Sequence, residues 1–373
     1  MLKFLSSLRG EWALAVNLAT TALFLVFGEG WLADLARPAW FGFVSSWLFT
    51  TMFLSAFAVV RHAEALAEKL GEPYGTLILT LAVTGIEVMM IAAIMYAGTG
   101  NSALARDAMM AVVMIVLNGM VGLSLLLGGL RYHEQAYNLQ GANAFLAVIL
   151  PLAVLGLVLP NFTVSSPGPT LSPLQAGFLI FMSLVLYAVF LGIQTSRHRD
   201  YFTAPKSRGS GTGKKGPAPG HEVRSVPFHT VLLIAYVLPL VILSKQLAVP
   251  INHAIHVLHA PAVLGGFLVS VLILSPESLG AVRAALANEL QRSVNILLGS
   301  VLASIGLTIP AVLAIGFVTG QTITLGLDAI DSTLLVLTLA LSTLTFAAAR
   351  TNVLLGVVHL LLFFAYLLFI FER

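Results

Sequence analysis

Two glutamates stand deep inside apolar runs: Glu87 in LILTLAVTGIEVMMI and Glu277 in LVSVLILSPESLGAV. By the same reading, the other fourteen of the sixteen acidic residues, Glu64 and Glu289 among them, fall in loops or close to helix ends. A carboxylate at bilayer depth costs at least about 2.5 kcal/mol on insertion scales, so an acid kept there marks a functional site by default. The plainer alternative is a protonated glutamate hydrogen-bonded to a neighbouring helix. No Lys or Arg is placed at that depth, which leaves a proton or a mobile cation as the counter-charge. Thr84, Asn118, Ser275 and Ser300 are the nearby polar residues that could complete an all-oxygen ligand set, the type preferred by hard cations such as Ca²⁺. Taking a carboxylate out of water favours its protonated form, so proton and cation would compete for the same oxygens.

The elements that position these acids are set by composition. Of 373 residues, 58% are hydrophobic and 9% charged, against roughly a quarter charged in an average soluble domain. The mean hydropathy is +0.96. Apolar runs near the ~20 residues needed to cross a bilayer recur along the chain, which makes it an all-α integral membrane protein. Soluble enzymes and nucleic-acid readers are excluded by the same numbers. Eleven spans are expected, at 12–28, 39–60, 75–98, 107–130, 142–160, 174–195, 227–247, 258–283, 293–319, 330–349 and 351–371. With alternating loops, 15 of the 19 Lys and Arg residues collect on one side, which the positive-inside rule makes cytoplasmic. The N-terminus is therefore expected inside and the C-terminus outside. Zero Cys removes disulfides, thiolate metal sites and Cys nucleophiles.

Residues 197–226 form a basic cytoplasmic linker, rich in Gly, Pro, Ser and Lys from 203 onward. The linker leaves an N-terminal segment with the first span (1–38) and two five-helix units, 39–196 and 227–373. An odd number of spans per unit forces the second copy to enter the membrane from the opposite side, giving two inverted repeats. Glu87 and Glu277 occupy the second helix of each repeat, beside the helix-weakening residues Gly85 and Pro276. Broken helices there would free backbone carbonyls for a bound ion. One geometric mismatch stands out, because the expected boundaries place Glu277 several residues deeper into its span than Glu87. Small residues at Gly119, Gly122, Gly128, Gly299, Ser300, Ala303, Ser304 and Gly306 suit close helix approach.

The segments GLRYHEQAYNLQGANAFLAVILPLAVLGLVLPNFT, LILSPESLGAVRAAL and ARTNVLLGVVHL resemble the calcium/proton exchangers of the cation/Ca²⁺ exchanger superfamily, and more closely their bacterial ChaA-type branch. The resemblance implies ten core helices in two inverted repeats plus an extra N-terminal helix, with one essential glutamate per repeat at Glu87 and Glu277. It also implies a proton antiporter of the inner membrane that carries Na⁺ and K⁺ as well as Ca²⁺, with membrane lipids around it. No cofactor is expected, since the ions are cargo. The chain departs from the wider pattern at Val83-Thr84, where Gly-Asn is usual, at Ser278 in place of His, and at Ala303 in place of Gln. Fewer amide and imidazole ligands suit a less selective site. The relatives' middle loop tends to be acidic, whereas this one is basic.

His359 lies within the last span, where it could relay protons or bond to a neighbouring helix. His253, His256 and His259 share helical spacing but sit at an external helix mouth, which suits solvated interface residues better than a metal site. A passive cation channel would also use acids along a path, and would show flux unlinked to protons. An intramembrane enzyme would need a nucleophile with its base, or converging metal ligands, and the sequence carries no such motif. Nothing in the sequence specifies an oligomeric state.

Overall fold

The computed structural model describes residues 11–71, 74–97, 102–205, 225–348 and 350–372. Lys3, Arg9, Arg373 and linker residues 206–224 lie outside the described residues. The chain is built from α1 (Trp12–Ala33), α2 (Pro38–Leu70), α3 (Leu77–Met95 within Tyr74–Ala97), α4 (Leu104–Tyr132), α5 (Leu139–Phe162) and α6 (Pro173–Arg197) before the linker. After it come α7 (Val226–His256), α8 (Val263–Leu286), α9 (Leu290–Thr319), α10 (Ala329–Thr345) and α11 (Val353–Phe371). Ten of these are long and apolar enough to cross a membrane, and α10 is a shorter apolar helix. The protein is thus an all-α, multi-pass membrane protein with one N-terminal helix and two five-helix halves.

Local signals mark several starts. Pro38, Pro173 and Pro227 occupy first-turn positions, where a missing N–H costs nothing. Ser172 and Gln175 form a reciprocal capping box. Asp328 and Asn352 cap α10 and α11 through the nitrogens of Asp331 and Leu355, at 2.8 and 3.2 Å.

The structure corrects three expectations about helix boundaries and breaks. First, α2 runs to Leu70 rather than ending near 60, so Glu64 is a helical residue and not a loop acid. Second, α8 begins at Val263 and ends at Leu286, which removes the depth mismatch: Glu87 is thirteen residues past Tyr74 and Glu277 fourteen past Val263. Third, neither α3 at Gly85 nor α8 at Pro276 is broken. Pro276 has no N–H to give the preceding turn, and Ser275 donates its hydroxyl to the Val271 carbonyl there. One helix later in each half the backbone widens into π segments, at Met114–Met120 in α4 and Ser304–Thr308 in α9, and further π segments occur at Val154–Val158 in α5 and Ile193–Arg197 in α6.

Packing is reciprocal between the halves. The first helices, α2 and α7, lie against each other; α3 packs on α7 and α9, and α8 on α2 and α4. Small residues allow the closest approaches: a Cβ on Gly266 of α8 would stand 2.6 Å from the Ala108 nitrogen of α4, and one on Gly356 of α11 would stand 2.5 Å from the Leu126 nitrogen of α4. Loops expected on one side of the membrane meet one another. The α4–α5 and α10–α11 connections pair as a two-stranded antiparallel ladder, β1 (Gln135–Ala136) with β2 (Arg350–Thr351). At the other end the Thr324 nitrogen donates to the Ser102 carbonyl at 3.0 Å, and the Leu325 and Gly326 nitrogens donate to Pro169.

Candidate cation site

The shared depth of α3 and α8 turns both acids into one cavity of about 290 Å³. Glu87, on α3, is 2% exposed and accepts a hydrogen bond from the Ser304 hydroxyl of α9 at 2.8 Å. Thr308, one turn on, acts on the same carboxylate. Glu277, on α8, is half-buried and faces Ser300 of α9. Among the described residues, Oε1 of Glu87 and Oε2 of Glu277 are buried without a hydrogen-bond partner. Orphaned buried oxygens of this kind call for a proton or an ion.

The lining completes the chemistry. Thr84, Ser300 and Ser304 add hydroxyls, Tyr187 and Phe145 add aromatic walls, and no Lys, Arg or His is among the lining residues. No group of three or more His, Cys, Asp or Glu converges among the described residues. Two carboxylates with hydroxyl neighbours suit a hard cation held loosely enough to leave, rather than a resident metal centre.

Of the six residues expected at the site beside His359, four meet there: Glu87, Glu277, Thr84 and Ser300. Ser275 does not line the cavity, because its hydroxyl is spent on its own helix at Val271. Asn118 is turned away as well. The π segment of α4 widens the turn that carries it, and its amide donates to Thr338 of α10 at 2.7 Å while its oxygen meets Nδ1 of His359 at 3.1 Å. His359 meets Thr345 through Nε2 at 2.9 Å and is fully buried. This second polar cluster joins α4, α10 and α11 and does not line the cavity. Ser304 and Thr308 are the site residues that sequence reasoning missed, although their four-residue spacing from Ser300 places all three near one helix face.

The cavity opens toward the face that carries Arg61, Arg283 and Arg292. Glu64 of α2, Gln194 of α6 and Asn295 of α9 stand at its mouth. Beyond them is a wider vestibule of about 680 Å³, lined by Trp12, Arg61, Glu64, Arg283, Glu289 and Arg292. On the opposite face Arg106 pairs with the buried Asp107 at 2.7 Å and donates to the Gly326 carbonyl at 3.2 Å, pinning the first turn of α4 to the α9–α10 loop beside a separate cavity of about 450 Å³.

The family model of the sodium/calcium exchanger protein matches residues 39–196 and 228–372. The chain belongs to this exchanger family. Its relatives include the sodium-potassium/proton antiporter ChaA of Escherichia coli (strain K12), which is 42% identical over 318 residues, covering 85% of this chain and 86% of that protein. Among solved structures, native YfkE superposes with a TM-score of 0.73 at 16% identity, covering 97% of this chain and all of that one. The H⁺/Ca²⁺ exchanger CAX superposes with a TM-score of 0.63 at 14% identity, over 96% of this chain and 88% of that one. These last two likenesses show the fold. Transport and exchange, not catalysis, define the family.

Proposed function

We propose that this exchanger is a cation/proton antiporter of the bacterial inner membrane, exporting Ca²⁺, Na⁺ or K⁺ from the cytoplasm in exchange for protons. The observation that carries the reading is the meeting of Glu87 and Glu277, one from each half, in a single cavity whose lining holds no cationic side chain. The relative named as a sodium-potassium/proton antiporter supports the monovalent cargo. The all-oxygen lining admits Ca²⁺ as well. The face bearing Arg61, Lys69, Arg131, Arg197, Arg283, Arg292 and Arg350 is cytoplasmic by the positive-inside rule, which places the N-terminus inside and the C-terminus outside.

In this reading the structure is open to the cytoplasm and closed outside at Arg106 and Asp107. A cytoplasmic cation binds between the two carboxylates. The halves then rock, opening the Arg106–Asp107 closure and shutting the mouth at Glu64, Gln194 and Asn295. External protons take the carboxylate oxygens and displace the cation, and the protonated, neutral site returns inward. Ser304 holds one oxygen of Glu87 at 2.8 Å, which leaves the other to exchange partners.

The test is proton movement in proteoliposomes carrying a pH gradient, with Ca²⁺, Na⁺ or K⁺ added separately. Proton release coupled to one or more cations is the expected result. Cation flux without proton movement would establish a channel instead.

A further inference from the structure

We propose that Glu64 is the recruiting carboxylate of the cytoplasmic mouth: it draws the cation from the arginine-rimmed vestibule into the neck of the cavity and sets the apparent affinity from that side. The inference rests on the antiport reading above and adds a residue that stands outside the coordinating pair.

Position is the first argument. Glu64 lines both the vestibule and the inner cavity, together with Val60, Pro276 and Gly280, so the neck between the two spaces passes its side chain. It is the third carboxylate of the inner cavity besides Glu87 and Glu277, yet the three do not converge into one ligand cluster. Glu64 is therefore a separate station on the path.

Availability is the second. Glu289, the other acid of the vestibule, lies 3.5 Å from Arg292. Glu11, at the edge of the same region, is engaged by Arg61 and by the Tyr236 hydroxyl at 2.9 Å. Glu64 is exposed and, among the described residues, has no ion-pair partner within 4 Å. Arg292 reaches it only through the longer-range field, and Glu64 in turn acts on Glu277 in the same way. An exposed carboxylate with no close partner attracts cations without holding them, which is what a way-station requires.

Asymmetry is the third. The corresponding stretch of α7, the first helix of the other half, reads PINHA from Pro250 to Ala254 and carries no acid. The first helix of the other half thus carries no counterpart of Glu64, which favours loading from inside and release outside.

The experiment measures initial exchange rates against cation concentration in vesicles that expose one face at a time, for wild type, Glu64→Gln, Glu64→Asp and Arg292→Gln. Glu64→Gln should raise the cytoplasmic KM on the order of threefold to tenfold at low ionic strength, with kcat and the external KM within twofold. The difference should shrink when choline chloride screens the vestibule. Glu64→Asp should restore most of the affinity, and Arg292→Gln, which removes an opposing charge, should lower the cytoplasmic KM. An unchanged KM in both Glu64→Gln and Arg292→Gln would overturn the proposal, as would a fall in kcat at constant KM. If Glu64→Gln does not fold, Arg292→Gln and Glu64→Asp decide by the same criteria. Loss of proton coupling in the wild type is a different outcome that strikes the antiport reading itself.

Discussion

The two halves present their acids differently. Glu87 of the first half is closed in, with Ser304 of the second half donating to it at 2.8 Å, while Glu277 of the second half is half-buried beside Ser300. Their helices have equal length and nearly equal acid depth, so the difference does not come from α3 and α8. It comes from the third helices. The π segment of α9 aims Ser304 into the cavity, whereas the longer π segment of α4 carries Asn118 toward α10 and α11. A repeated fold with unequal third helices yields one fixed carboxylate and one accessible one. Such a pair can keep a constant anchor while the other acid exchanges its occupant.

The strongest way to break this comparison is to neutralise each acid in turn. Glu87→Gln and Glu277→Gln should each abolish cation-coupled proton movement in proteoliposomes while leaving a monodisperse, folded protein. Near-normal exchange in either would remove that acid from the site. Next in size, Ser304→Ala removes a hydrogen bond to a carboxylate, worth about 1.5 kcal/mol or roughly tenfold in cation affinity. Ser300→Ala should stay within about threefold by the same scale, and equal effects of the two would dissolve the distinction between the acids.

Two glycines sharpen the comparison at the level of packing. Gly266→Ala places a methyl 2.6 Å from the α4 backbone and should lower thermal stability by about 1–3 kcal/mol. Gly85→Ala meets nothing within 4 Å and should be neutral or stabilising by about 0.5–1 kcal/mol with exchange intact. A loss of exchange in Gly85→Ala would restore the idea of a functional helix break beside Glu87.

The smallest expected effect concerns the attachment of α1 to both halves. Burial pushes the Glu11 carboxyl upward, but the Tyr236 hydroxyl, Arg61 and His62 outweigh it and hold it below its ordinary 4.5. A depressed carboxyl stabilises the folded state above its unfolded value and loses that contribution as pH falls through the folded one. Melting temperatures followed downward from about pH 6 should therefore drop below about pH 4.5. In Glu11→Gln this particular acid limb should be absent.

Much of this protein was legible along the chain because membrane insertion is a local matter. Apolar runs, loop charges and an acid inside a run are properties of adjacent residues, so the spans, the five-helix halves and the two carboxylates could be read directly. Even the partners Thr84 and Ser300 followed, since they lie one turn from an acid or on a helix next in sequence. Side-chain direction did not follow. Asn118 and Ser275 had the right chemistry and depth, but a widened turn aimed one at His359 and the other back-bonds the Val271 carbonyl of its own helix. Glu64 was misplaced for a related reason: charges at 61, 64, 68 and 69 ended the apolar run, while packing against α7 carried the helix on to Leu70. Hydrophobicity along the sequence determined which segments enter the membrane, while the start of α8 at Val263 set the depth of Glu277. The rotation of each helix about its axis, and so which oxygens share a cavity, was decided by contacts between residues up to 241 positions apart.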